Sequence, residues 1–293
     1  MNNWFKQNRK EVVAMFKNSD SDQNTTGSHW PFSATHVDHE RVEEFSFSGR
    51  IHFDARTASG DIAIATGNDG VARVRVFAKG ANAVERVEDA VIGFNSSTST
   101  LTVTSRSKLL GRKLLDFGRD DIDIEVTLPA NSDIEVHTAS GDLVAQGSFG
   151  DLRLSSASGD AAVENVTGVV KIDSASGDVR IQSTSSSVAV RTVSGDISIG
   201  SAQGDTGLNS VSGDVSLTVA GPMEARLKTV SGDLDIKVVA GMQIDVDASS
   251  VSGDLRSEIA LDQSANSNSS TPAVPSVTLR ANSVSGDVTV RRA

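Results

Sequence analysis

The tripeptide Ser-Gly-Asp begins at Ser140, Ser158, Ser176, Ser194 and Ser212, at one constant interval. Further copies begin at Ser231, Ser252 and Ser285, at intervals that widen step by step, and an earlier one stands alone at Ser59. A unit this short cannot enclose a core of its own. It must stack on its neighbours, so the period predicts a quasi-one-dimensional repeat architecture.

The interval between triplets carries two apolar pairs. Directly after each Asp come Leu143/Ala145, Ala161/Val163, Val179/Ile181, Ile197/Ile199, Val215/Leu217, Leu234/Ile236 and Val288/Val290. Half a period later come Leu152/Leu154, Val170/Ile172, Val188/Val190, Ala225/Leu227, Ile244/Val246 and Val277/Leu279. The residues between pair members are mostly polar, such as Arg153, Lys171, Arg180, Ser216 and Asp235. Alternation of this kind sends one set inward and the other to water. Each unit therefore reads as two short strands and two turns, and the fold class as all-β: a β-solenoid (β-helix) with two-strand coils of about 18 residues.

The triplet itself reads as the corner of a coil. Glycine adopts positive φ without a Cβ penalty, and aspartate accepts backbone N–H groups of a turn. The structural turn ladder consists of Gly60/Asp61, Gly141/Asp142, Gly159/Asp160, Gly177/Asp178, Gly195/Asp196, Gly213/Asp214, Gly232/Asp233, Gly253/Asp254 and Gly286/Asp287. The preceding residue is Ala139, Ala157, Ala175, Val193, Val211, Val230, Val251 or Val284, predicted to line the coil interior. Two before the triplet stands Thr138, Ser156, Ser174, Thr192, Ser210, Thr229, Ser250 or Ser283, whose hydroxyls are expected to bond along the stack. Stacked carboxylates about 5 Å apart repel by roughly 1 kcal/mol in water. Charge-assisted backbone bonds worth about 1.5–3 kcal/mol each offset that. A calcium ladder is the alternative, but one Asp per coil supplies too few ligands for a 6–8-coordinate ion.

In chain order, residues 1–40 read as an N-terminal amphipathic helix over 1–17 (Trp4, Phe5, Val12, Met15, Phe16, with Lys6, Arg9, Lys10 and Lys17) and a linker. Residues 41–293 form the β-solenoid domain: an irregular part, 41–130, and regular coils, 131–293, with a flexible loop over 262–275. Phe45, Phe47, Ile51, Phe53, Ile62 and Ile64 alternate as strands, and Ala83 to Val91 is a short helical insert with Val84, Val87 and Val91 on one face. Residues 107–117 are basic and leucine-rich, suited to covering an open sheet edge or to touching a membrane. The longer spacings after Ser212 and Ser252 are expected to be bulged turns and that one loop.

A net charge of −11 argues against a nucleic-acid partner. With no cysteine, thiolate chemistry and disulfides are excluded. Residues 1–17 lack the apolar run of a secretion signal, and no apolar run reaches the ~18 residues of a transmembrane helix. The expected location is cytoplasmic, peripheral at the inner face of the membrane through residues 1–17 or 107–117. His36, Asp38 and His39 lie close in sequence but lack further converging ligands. No catalytic motif is present, and a reactive site seldom recurs eight times in register. No catalytic, cofactor or metal residue is assigned.

The segment from Val42 to Val290 resembles the bacterial putative-adhesin, β-strand-repeat family, a domain of unknown function. The resemblance rests on Asp121 to Pro129 (Asp-Ile-Asp-Ile-Glu-Val-Thr-Leu-Pro), then Ile134 to Leu143 (Ile-Glu-Val-His-Thr-Ala-Ser-Gly-Asp-Leu), then the triplet series. It implies a β-solenoid and a non-enzymatic, adhesin-like module binding a protein or cell-envelope partner. Some members look like regulators of envelope-stress signalling. The alternatives are a self-polymerising, bactofilin-like scaffold and, less favoured, a glycan-active β-helix enzyme.

Overall fold

A computed structural model describes residues 37–47, 49–67, 70–80, 82–105, 122–258 and 276–293. The helix expected over 1–17, the insert over 107–117, the loop over 262–275 and His36 lie outside the described residues. The irregular region contributes β1 (His39–Ser46), β2 (His52–Ser59), β3 (Ile62–Gly67), β4 (Val71–Ala78), α1 (Ala83–Asp89), β5 (Val91–Asn95), β6 (Thr100–Thr104) and β7 (Asp123–Pro129). Then come β8 (Asp133–Ser140), β9 (Leu143–Phe149), β10 (Leu152–Ser158), β11 (Ala161–Val166), β12 (Val170–Ser176), β13 (Val179–Thr184), β14 (Val188–Ser194) and β15 (Ile197–Ala202). The last group is β16 (Thr206–Asn209), β17 (Val215–Val219), β18 (Met223–Lys228), β19 (Leu234–Val238), β20 (Gln243–Ser252), β21 (Leu255–Ser257), β22 (Ser276–Ser285) and β23 (Val288–Arg292).

Among the described residues these strands form two long sheets, all-β and consistent with a β-solenoid. The first runs β1-β4-β7-β3-β9-β11-β13-β15-β17-β19-β23-β21, and the second β20-β22-β18-β16-β14-β12-β10-β8-β2-β6-β5. From β7 and β6 onward the pairing is parallel. Leu152 faces Val170 and Val170 faces Val188, so equivalent residues of successive units stack in columns. The apolar pairs fill the space between the sheets: Leu143, Val163, Ile181, Ile199, Leu217, Ile236 and Val290 from one, Leu152, Val170, Val190 and Leu279 from the other, all buried. Such continuously apolar inner faces suit sheets that are parallel and stacked. One rung departs from the pattern. Thr206 stands where neighbours carry Val188 and Ala225, and its buried hydroxyl donates to the carbonyl of Gly204 at 2.9 Å.

The order of rungs in space differs from their order in sequence, and it does so at both ends. The β2–β3 rung lies between the β6–β7 rung and the β8–β9 rung, since β2 pairs with β6 and β8 while β3 pairs with β7 and β9. The lone triplet at Ser59 is thereby adjacent to that at Ser140. At the other end, β22–β23 is inserted between β18–β19 and β20–β21. The wide spacing between Ser252 and Ser285 is therefore no simple bulge or loop in a sequential stack, as the sequence suggested. The chain lays down the outermost rung first and then returns to fill the place it skipped.

The end nearest β1 is closed by elements of different geometry. There β1, β4 and β7 pair antiparallel, as do β5 and β6. Helix α1 packs on β1 and β4. Its buried residues are Ala83 and Val87, whereas Val84 and Val91 are exposed, which corrects the face expected from sequence. At seven residues the helix is too short for a wide stripe, and Ala83, Val87 and the C-cap residue Ala90 are its buried contacts. Phe45 and Phe94 meet with ring centroids 5.6 Å apart. Arg75 ties the closure together, bonding Glu125 of β7 at 2.8 Å and Glu40 of β1 at 2.7 Å, with its guanidinium 4.6 Å from the Phe77 ring centre. Burial raises the Glu125 carboxyl above its ordinary range, opposed by the Arg75 bond and charge. Among the described residues no helix is long and apolar enough to cross a membrane.

Candidate interaction face

The triplet corner stacks into a continuous column, and the glycines are required chiefly by the closeness of that stacking. A Cβ on Gly195 would lie 2.1 Å from the carbonyl oxygen of Gly177, and one on Gly253 would lie 2.1 Å from that of Gly286. Gly195 also has φ +144°, but no positive φ occurs at Gly141 or Gly253, so left-handed backbone is not the shared reason. Contact with the neighbouring rung is.

The aspartates form a hydrogen-bonded ladder. The Asp142 N–H donates to Oδ1 of Asp61 at 3.1 Å, and Asp160 N–H to Asp142 at 2.7 Å. The series continues from Asp178 to Asp160, Asp196 to Asp178, Asp214 to Asp196 and Asp233 to Asp214, at 2.8–3.0 Å. It ends with Asp287 N–H on Asp233 at 2.8 Å and Asp254 N–H on Asp287 at 2.9 Å. Each carboxylate thus accepts from the next rung, which offsets repulsion along the column. Asp142 is pushed up to about 6, first by burial and then by the charges of Asp61 and Asp160, against the bond from Asp160 N–H.

The sequence reading missed two parts of this system. Asp123 begins the ladder, accepting from Asp61 N–H at 2.9 Å, with Ile122 in place of a triplet glycine. On the opposite turn Asp133 accepts from Asp151 N–H at 2.9 Å, and Asp151 from Val169 N–H at 2.8 Å. The signal was an Asp directly before an apolar pair, at Asp133 and Asp151, but Val169 and Ser187 interrupt it and Asp205 precedes Thr206.

One expectation about the corner holds in part and another is corrected. Of the hydroxyls two before the triplet, those of Thr229, Ser250 and Ser283 bond along the stack, donating to the carbonyls of Gly213, Gly286 and Gly232 on a neighbouring rung at 3.5, 3.0 and 3.5 Å. Ser174 instead donates within its own turn to Ser176 at 3.2 Å, and those of Thr138, Ser156, Thr192 and Ser210 are buried without a partner among the described residues. The apolar residue before the triplet points outward. Val193 is 55% exposed, Val211, Val230 and Val284 48% each, and Val251 82%. Strand alternation explains this: the inward Ser or Thr leaves its neighbour on the solvent face. Ala139, Ala157 and Ala175 occupy the same exposed column nearer the other end. Because β22 is inserted, Val284 falls between Val230 and Val251, and the valines occupy consecutive rungs.

Beside the alanine part of the column lies an open depression of about 560 Å³ bordered by Arg56, Ser105, His137 and Ser155. His137 contacts Glu135 at 3.1 Å, and Asp54 holds Arg56 at 3.0 Å. Asp38 accepts from Gly80 N–H at 2.6 Å, while His39 faces Glu88 at 3.3 Å, so these two take separate structural partners. Among the described residues no three His, Cys, Asp or Glu side chains converge as a metal site.

The Toastrack DUF4097 family profile matches residues 50–291. A search of the curated proteins returns no match. Among solved structures, a putative adhesin from Bacteroides fragilis is 13% identical and superposes with a TM-score of 0.51, covering 88% of this chain and 98% of that one. A putative cell adhesion protein from Clostridium sporogenes is 10% identical with a TM-score of 0.35, covering 87% and 99%. The first supports the fold alone. With the family profile spanning every rung from β2 on and the whole Gly-Asp column, this chain belongs to the Toastrack DUF4097 family.

Proposed function

We propose that this protein is a non-enzymatic interaction module that holds a protein or cell-envelope partner on the outer face of its second sheet. The observation that carries the reading is the exposed column Val193, Val211, Val230, Val284 and Val251, one valine per rung. Isolated exposed apolar residues are ordinary, but a contiguous stripe held rigidly on a sheet is the mark of a contact surface. Stacked parallel rungs fix its spacing at about 4.8 Å per side chain. The stripe is rimmed by Ser194, Ser212 and Ser231 on one side and by Asn209, Lys228 and Asn282 on the other. An apolar centre with a polar rim matches the anatomy of recognition surfaces. The name of the Bacteroides fragilis neighbour, a putative adhesin, agrees with this reading. A location at the inner face of the membrane and a part in envelope-stress regulation belong to the same proposal.

The double substitution Val211→Lys/Val230→Lys tests it. Both side chains are half exposed, so the fold should tolerate the change with little shift in thermal midpoint. Proteins cross-linked to the native chain in an envelope preparation should be lost with the variant. Retention of the same cross-linked set at the same yield would remove the valine column from the account.

A further inference from the structure

Among the described residues, the β20–β21 rung carries an unused copy of every contact by which one rung holds the next. In inner rungs Leu152, Val170 and Val188 donate their N–H groups to the following rung at 2.8–2.9 Å, and Val246 holds the equivalent place in β20. Gly232 and Gly286 likewise donate outward at 3.1 and 3.2 Å, as do Leu234 and Val288 at 2.9 Å. Their counterparts Gly253 and Leu255 have no rung to donate to among the described residues. The same holds for Oδ1 of Asp254, the ladder's final acceptor. The core is open there too. Val277, Leu279 and Ala281 of β22 are fully buried, whereas Ile244, Val246 and Ala248 opposite them are only partly so, and Leu255 is 53% exposed.

We infer that this end is an interface with a second copy of the chain, forming a closed two-fold dimer in which β20 pairs antiparallel with its counterpart. A two-fold axis running from one sheet to the other keeps both inner faces inward and makes both sheets continuous across the junction. Charge excludes registers centred on Val246 or Asp247 and permits one centred on Ala248. With Ala248 opposite its own counterpart, Asp247 faces Ser249 and Asp245 faces Val251, so no carboxylates oppose one another; shifting the centre to Asp247 would set like charges face to face. Asp245 and Asp247 lie on the outer face of the sheet and leave the edge itself clear. A head-to-tail filament is disfavoured because the opposite end is closed by α1 and the antiparallel strands. The rung Gln243–Ser257 supplies a contact toward the small end of stable dimer interfaces, about 800 Å² per partner being standard.

The test is sedimentation of the full chain across a concentration series, with hydrogen exchange read at β20. The expected species has twice the 30.6 kDa chain mass and dissociates on dilution, and the Val246 and Ala248 amides lose protection in step. Ala248→Pro deletes an outward-facing N–H at the centre of the interface and should leave a folded monomer at every concentration, with a thermal midpoint that no longer depends on concentration. A monomer at all concentrations, a concentration-dependent filament, or a dimer that survives Ala248→Pro would each overturn the inference. So would protected β20 amides in a monomer, which would mean that another part of this chain covers the edge. Should Ala248→Pro not fold, the dilution dependence of exchange in the native chain decides alone.

Discussion

The two ends of the stack solve the same problem in opposite ways. At the end nearest β1, parallel rungs give way to antiparallel strands, a helix and a pair of phenylalanines, and Arg75 binds carboxylates on strands to either side of it. At the other end the last rung keeps the geometry of its neighbours, and no further element covers it among the described residues. Its inward residues are only partly buried, and its edge donors face outward. A parallel stack has no intrinsic stopping point, because each rung offers the next what it took from the last. Closure therefore needs a change of strand direction or a cover.

One substitution made at two heights breaks or sharpens that contrast. Gly195→Ala places a methyl group 2.1 Å from a backbone carbonyl in mid-stack, where neither rung can retreat. The expected loss is several kcal/mol, on the order of the 4–5 kcal/mol marking severe core defects, read as failure to fold or a steep fall in denaturation midpoint. Gly253→Ala makes the same clash at the open end, yet there the outermost rung can lift away. Its cost should stay near ~1 kcal/mol, with faster exchange confined to β20 and β21. Equal effects at both positions would show that the two regions are held alike.

A smaller effect separates the carboxylates. Asp142 lies near the closed end, flanked by Asp61 and Asp160, and its folded-state value is raised to about 6. A raised carboxyl binds its proton more tightly in the folded than in the unfolded chain. Ionising it thus costs stability above pH 6, and stability recovers as pH falls from 6 toward the ordinary value near 4. Asp142→Asn retains an Oδ1 acceptor for Asp160 N–H and removes the charge. The thermal midpoint at pH 7.5 should rise by a few degrees, and the gain from acidification should flatten. Asp254→Asn, on an exposed side chain in the last rung, should leave the thermal midpoint at pH 7.5 unchanged. A lower midpoint for Asp142→Asn at pH 7.5 would show that the charge itself strengthens the ladder.

The sequence announced the periodic part of the molecule because each rung repeats the same physical requirements. Small residues are needed where backbones nearly touch, aspartate where an N–H must be accepted, and apolar pairs where sheets face. Those demands recur with every triplet from Ser140 to Ser212 and are legible in the residues alone. The facing of the residue before the triplet was harder to read, since a valine beside a glycine corner suits either side of the sheet. Hydrogen-bonded alternation decided it, turning Val193 and Val211 to solvent. Rung order was illegible for a different reason. Rungs are interchangeable in pattern, so β20–β21 and β22–β23 present the same sequence signals whichever lies outermost. Asp123 was hidden because Ile122 takes the glycine's place at a rung that is followed by antiparallel pairing.

Insertion of the β22–β23 rung completes the valine column and leaves β20–β21 outermost among the described rungs. Paired cysteines test it directly, since the chain has no native cysteine. Neighbouring rungs lie about 4.8 Å apart, within the roughly 4.4–6.8 Å Cα separation a disulfide spans. Val230→Cys with Val284→Cys should therefore oxidise to an internal disulfide at full yield, while Val230→Cys with Val251→Cys, two rungs apart, should not. Ready closure of the second pair and failure of the first would mean that the rungs stack in sequence order, and would contradict the account.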